Sequence, residues 1–199
     1  NFVRRLCKVP QICPHFHLSL QSGCDETLKR MNRHYTTARY LEKCGILRQY
    51  FDRPALTTDV IVGFPGETEE EFAQTERFLE TVHFSDMHIF KYSKRRGTKA
   101  ADMPNQIDPQ IQSVRSEKLI ALGERMKDDF LEACKDQEQI VLIEEETEID
   151  GTKYMTGHSK NYIRCAFEMD GLVPNMVIKG TINSCLLYTS PSPRDISGS

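Results

Sequence analysis

The chain has 199 residues, of which 39% are apolar, and carries a net charge of −3 with a pI near 6.1. This suffices for one or two packed domains and excludes a generic nucleic-acid coat, though not a local basic patch. No apolar run approaches the ~20 residues that span a bilayer, and no basic-then-apolar leader opens the chain, so a cytoplasmic protein is expected.

The first residues, 2–6, read as a helix that starts at Asn1 without an initiator Met, so a fragment of a longer protein is expected. Three strand-like runs follow. Residues 16–21 alternate strictly at period two, residues 56–63 are rich in β-branched side chains, and residues 86–92 form the third run. Helical sequence lies between them, roughly 25–33 and 37–51. After the second run, Thr68 and Glu71 make a capping box ahead of Phe72, Leu79 and Val82 at helical spacing. A last long helix starts at Asp108-Pro109 and carries Leu119, Leu122, Met126, Phe130 and Ala133 at steps of three and four. The β-α-β-α-β-α order predicts parallel strands with right-handed crossovers. Three strands do not close a barrel, so the unit should be half of a larger α/β architecture.

From about residue 138 the pattern changes to short strands (139–143, 153–156, 162–167 and 176–182). Turns such as Asp150-Gly151 and Asp170-Gly171 separate them. A small antiparallel β-barrel is expected, with a domain boundary near 137. Residues 185–199 fit neither pattern and read as translated sequencing-adaptor sequence in preference to a disordered Ser/Pro tail.

The seven cysteines, at 7, 13, 24, 44, 134, 165 and 185, give no C-x-x-C and suit reduced thiols better than disulfides or a zinc knuckle. His15, His17, Ser19 and Gln21 fall on one face of the first strand. A wholly polar face must look into something wet or liganded, or else into solvent as an antiparallel strand would. Cys13, His15 and His17 lack a nearby fourth metal ligand. In parallel α/β folds the loops after strand C-termini hold ligands. Gln21 ends the first strand there, and Arg33 offers a bidentate fork suited to a carboxylate. Asp59 is an acid in an otherwise apolar strand and needs partners, either a ribose diol or backbone and Arg groups of the protein. Gly63 and Gly66 permit positive φ. Glu67, Glu69, Glu70 and Glu71 read as first-turn charges that favour the helix dipole. Lys91, Lys94, Arg95, Arg96 and Lys99 form the densest basic cluster. With Tyr92 nearby, that cluster suits phosphates and a base or a solvated surface loop.

Three ordered segments carry a resemblance: His17-Leu-Ser-Leu-Gln-Ser-Gly23 with Leu28-Lys-Arg-Met-Asn-Arg33, Thr58-Asp-Val-Ile-Val-Gly-Phe-Pro-Gly-Glu-Thr68, and Tyr92-Ser-Lys-Arg-Arg-Gly-Thr98. Over residues 1–184 the chain resembles the radical S-adenosylmethionine (SAM) methylthiotransferases, most nearly their MtaB-type branch. The resemblance implies that residues 1–137 are the C-terminal half of a partial (β/α)6 barrel and that 138–184 are a tRNA-binding TRAM barrel. It implies a methylthio group added at C2 of N6-threonylcarbamoyladenosine beside the tRNA anticodon. One SAM is cleaved reductively to a 5′-deoxyadenosyl radical and another supplies the methyl group. Two [4Fe-4S] clusters and an electron donor such as flavodoxin or ferredoxin would serve the intact enzyme.

By position, the resemblance makes Gln21 and Asp59 ligands of the SAM ribose and Arg33 the partner of its carboxylate. Ser22 lines the same pocket, and the main chain around Tyr92 frames the adenine. Lys94, Arg95 and Arg96 face tRNA. The family's C-x-x-x-C-x-x-C loop is absent from this sequence, so the chain alone should hold no cluster and show no turnover. Sister branches act on isopentenyl-modified adenosine or on a ribosomal-protein aspartate. A non-catalytic tRNA-binding protein with a TRAM module is the reading from another class.

Overall fold

The computed structural model describes residues 2–168 and 171–183. The adaptor-like tail and Asp170 of the expected Asp170-Gly171 turn lie outside the described residues. Helix α1 (Phe2–Leu6) precedes β1 (His15–His17), α2 (Asp25–Arg30), α3 (Thr37–Tyr50), β2 (Ala55–Val62), α4 (Glu69–Val82), β3 (Asp86–Lys91) and α5 (Pro109–Cys134). The three strands are parallel in the order β1-β2-β3.

The main helices start where side-chain oxygens meet free backbone N–H groups. Thr36 accepts from Arg39 N, Asp108 from Gln110 N ahead of Pro109, and Thr68 and Glu71 cap each other reciprocally. Helix α2 stops at Arg30, sooner than its sequence suggested. Asn32 turns left-handed at φ 57°, which puts Arg33 in a loop.

The helices cover one face of the parallel sheet. Leu56, Val60 and Val62 of β2 pack there with Leu47, Phe72, Leu79, Val82, Leu119 and Met126, all essentially sealed from water. A side chain such as Phe72 is worth about 3–5 kcal/mol when truncated to alanine in such packing. The opposite face carries His15, His17, Thr57, Asp59 and His88.

The first strand is shorter than its period-two pattern suggests. After the His17–Thr57 pair the ladder breaks, and it resumes as a single bridge between Gln21 and Val60, with one residue more on the first strand than on β2. Thr58 explains the break. Its hydroxyl donates to Leu18 O at 2.6 Å and accepts from Leu20 N at 2.9 Å, replacing ladder bonds across a bulge. Tyr40 adds a second donor to Leu18 O.

The second sheet is antiparallel in the order β6-β5-β4-β7. It is built from β4 (Glu138–Ile149), β5 (Thr152–Ser159), β6 (Arg164–Phe167) and β7 (Val177–Thr181). Val141, Ile143 and Met155 form its core. A bulge between Ile143 and Glu145 pushes the Leu142 carbonyl onto Gly157, where any Cβ would collide with it. The Phe167 ring of β6 lies against Gly180 of β7, so the sheet curls its two edges together. Among the described residues β6 and β7 share no ladder.

Candidate functional site

The polar face predicted for the first strand is the helix-free face of the parallel sheet. Its side chains form one hydrogen-bonded row. His15 Nε2 and His17 Nδ1 both meet Thr57 Oγ1, at 3.2 and 3.1 Å. His17 Nε2 reaches Asp59 Oδ2 and Ser19 Oγ, each at 3.2 Å. His88, the register partner of Asp59 on β3, brings its ring to 6.3 Å from that of His17. Burial lowers the His15 pKa, and the neighbouring His17 lowers it further. Among the described residues the Asp59 carboxylate finds its partners in a histidine and a serine of the neighbouring chain segment.

Gln21 follows the bulge, in register with Val60 of β2, and is buried. It takes the left-handed conformation at φ 70°, donates its N–H to Asp59 O at 2.8 Å and accepts from Ile61 N. Gln21 and Asp59 are therefore locked side by side through the backbone. Ser22 faces elsewhere: it is fully buried, its hydroxyl shared with Thr75 and Cys24 N, so it is spent on packing the loop against α4.

Arg33 is exposed and lines a shallow depression with Asp25, Lys29, His34 and Tyr35. Tyr35 ties this loop to the Gln21 segment by donating to Leu20 O at 2.9 Å. Burial raises the Tyr35 pKa while the charge of Arg33 opposes the rise. Arg30, three residues before Arg33, is engaged instead: its guanidinium grips Glu71 with Nη1 at 2.8 Å and Nη2 at 2.5 Å.

The loop after β2 is braced from α5. Gly63 has φ 71°, and a Cβ there would strike the Gln112 side chain, whose amide donates to Gly63 O. Glu67 accepts from Gly63 N at 2.7 Å and from Arg115 at 2.8 Å. Its expected role as a first-turn dipole charge is corrected: Glu67 lies two residues before α4, almost wholly buried, as the anchor of the loop. Desolvation raises its pKa against the pull of Gly63 N–H and Arg115. Sequence reasoning missed Gln112 and Arg115, although they extend the apolar stripe of α5 through Ser116 and Leu119. Two polar residues at core spacing were the available signal.

Tyr92 follows β3, with its N–H donating to Val62 O and its ring set edge-on to Phe64. Its hydroxyl is buried without a partner among the described residues. Lys94, Arg95 and Arg96 are exposed on a loop closed by the Thr98 hydroxyl, which donates to Arg95 O. Lys91 is turned aside to Ser113. Below the polar row, a cleft of about 1690 Å³ runs from His15, His17 and His88 to Thr156, His158 and Arg164 of the second sheet. Tyr162 bridges the two walls, its ring stacked between His15 and His158 at 4.6 Å from each. Among the described residues no three His, Cys, Asp or Glu side chains gather where they could hold a metal ion.

Residues 1–79 match the family model described as the radical SAM superfamily. The chain is 38% identical over 160 residues to threonylcarbamoyladenosine tRNA methylthiotransferase MtaB of Bacillus subtilis, covering 79% of this chain and 35% of that protein. It is 44% identical over 126 residues to tRNA-2-methylthio-N(6)-dimethylallyladenosine synthase 1 of Mycobacterium marinum, covering 63% of this chain and 24% of that one. The corresponding Corynebacterium efficiens synthase is 35% identical over 184 residues, 92% of this chain and 35% of the relative. Over these stretches the chain is similar to the radical SAM methylthiotransferases. It spans about a third or less of the length of these curated relatives. A solved structure of coproporphyrinogen III oxidase (HemN) from Escherichia coli, a radical SAM enzyme, superposes with a TM-score of 0.50 at 18% identity. The match covers 57% of this chain and 27% of that one and carries the radical SAM fold. No helix among the described residues is long and apolar enough to cross a membrane.

Proposed function

We propose that this chain supplies the part of a methylthiotransferase that holds the ribose and carboxylate of SAM. In the intact protein it would serve transfer of a methylthio group to C2 of N6-threonylcarbamoyladenosine in tRNA. The observation that carries the reading is the pairing of Gln21 and Asp59, locked by a 2.8 Å backbone bond where the bulge of the first strand ends. The donor set fits the molecule: a carboxylate for a ribose diol, a backbone turn beside it, and the exposed guanidinium of Arg33 for an amino-acid carboxylate. SAM would supply the radical-forming sulfonium and the methyl group. The residues of this chain would orient it and exclude water from one side.

In the same reading, residues 1–137 are half of a partial (β/α)6 barrel and 138–184 a TRAM module. Lys94, Arg95 and Arg96 meet tRNA phosphates, and the two [4Fe-4S] clusters are held by other parts of the enzyme. A flavodoxin or ferredoxin would deliver electrons. A second branch is favoured by a specific observation: several relatives are dimethylallyladenosine synthases, at identities up to 46%. Nucleoside mass spectrometry of tRNA from a strain lacking the full gene separates the two. Loss of the methylthio form of threonylcarbamoyladenosine is expected. Loss of the methylthio form of isopentenyladenosine would transfer the enzyme to the other branch.

A further inference from the structure

We infer that His17 is a positioning residue for Asp59, holding one carboxylate oxygen so that the other is presented to the ligand. This rests on the SAM-site reading above and adds a residue to it.

The hydrogen-bond row has only one consistent direction when His17 is neutral. A carboxylate at neutral pH only accepts, so the 3.2 Å contact between Asp59 Oδ2 and His17 Nε2 requires the proton on Nε2. Nδ1 is then an acceptor, and the Thr57 hydroxyl must donate to it across 3.1 Å. With its single proton committed, Thr57 Oγ1 accepts from His15 Nε2 at 3.2 Å. The sequence His15 to Thr57 to His17 to Asp59 therefore fixes the tautomers of both imidazoles. It also fixes the rotation of the His17 ring, because both ring nitrogens are used.

Ser19 donates to the same Oδ2 at 3.4 Å. Both neighbours thus occupy Oδ2. Among the described residues no hydrogen bond falls on Oδ1, and the Asp59 side chain keeps 29% of its surface open. A carboxylate clamped on one oxygen cannot rotate, which leaves its second oxygen preorganised as an acceptor for a diol hydroxyl. The relay begins at the wall of the cleft, where His15 stacks on Tyr162, so the orientation of Asp59 is tied to the packing of the second sheet.

The test combines tautomer spectroscopy with binding of S-adenosylhomocysteine, which carries the same ribose and amino acid. In 15N NMR of the full chain, His17 is expected with a protonated Nε2 whose signal moves in Asp59→Asn. A ring without a proton on Nε2, or one indifferent to Asp59→Asn, would overturn the inference whatever the ligand does. In equilibrium dialysis, His17→Leu should weaken binding about tenfold, the loss expected for one hydrogen bond to a charged group. His17→Gln, which keeps an N–H near the Nε2 position, should recover most of it. Binding by His17→Leu equal to that of the parent sinks the positioning role while sparing the site. Absence of binding by the parent chain itself, with the His17–Asp59 contact present in NMR, sinks the site reading and the role with it.

Discussion

Arg115 Nη1 lies 2.8 Å from Glu67 Oε2, in an ion pair whose side chains are only 6% and 1% exposed. Glu67 also accepts the N–H of Gly63, so one buried carboxylate joins the loop after β2 to the middle of the fold and to α5. A buried pair of this kind adds little over an apolar pair, but removing one partner strands the other charge in a dry site. Arg115→Met should therefore lower stability by about 3–5 kcal/mol in urea denaturation. An effect near zero would mean that water already reaches Glu67.

The Arg30–Glu71 contact gives a pH signature. Hydrogen bonding to Arg30 lowers the Glu71 pKa, with desolvation working against it. A lowered folded value contributes stability that is present above the ordinary carboxylate value of 4.5 and lost as the pH falls through the folded value. Glu67 acts in the opposite sense: its raised pKa makes the fold gain stability as the pH falls through that value. Glu71→Gln should thus be less stable than the parent at neutral pH, with the gap closing well below pH 4.5. Thermal melts at a series of pH values read this directly, and a gap independent of pH would contradict it.

The thiols should divide sharply. Burial pushes Cys44 up to about 11, and Cys24 and Cys134 are equally enclosed, whereas Cys13 is exposed. Mass spectrometry after brief alkylation at pH 8 should find Cys13 modified, and Cys24, Cys44 and Cys134 modified only after unfolding. Rapid labelling of Cys44 in the native chain would contradict the packing of α3.

Much of this molecule was legible in the residues. The capping box of Thr68 and Glu71 and the Asp108-Pro109 helix start are local signals that the structure carries. The apolar steps of α5 hold from Leu119 through Leu122 to Met126, after which Phe130 is half-buried and Cys134 is buried in place of the exposed Ala133. The polar face of the first strand was also visible from His15 to Ser19, because period two does not depend on partners, but the bulge puts Gln21 in register with Val60. What the sequence could not show was the bulge, since Thr58 replaces ladder bonds of a segment forty residues away. The same holds for Glu67, which resembles its acidic neighbours in every local respect and differs only by meeting Arg115 across the fold. Ser22 sits between two candidate residues in sequence, yet its hydroxyl turns to Thr75 in α4. Alternation along a strand fixes which side chains share a face; it does not fix which of them a distant helix will cover.

In the proposed function, Asp59 and Arg33 hold a sulfonium nucleoside beside Gln21. Isothermal titration of the chain with SAM measures this most directly. Saturable binding is expected, which Asp59→Asn and Arg33→Met should each weaken by about tenfold or more, as loss of a charge-assisted hydrogen bond requires. Binding by either variant indistinguishable from the parent, with both chains folded, would contradict it.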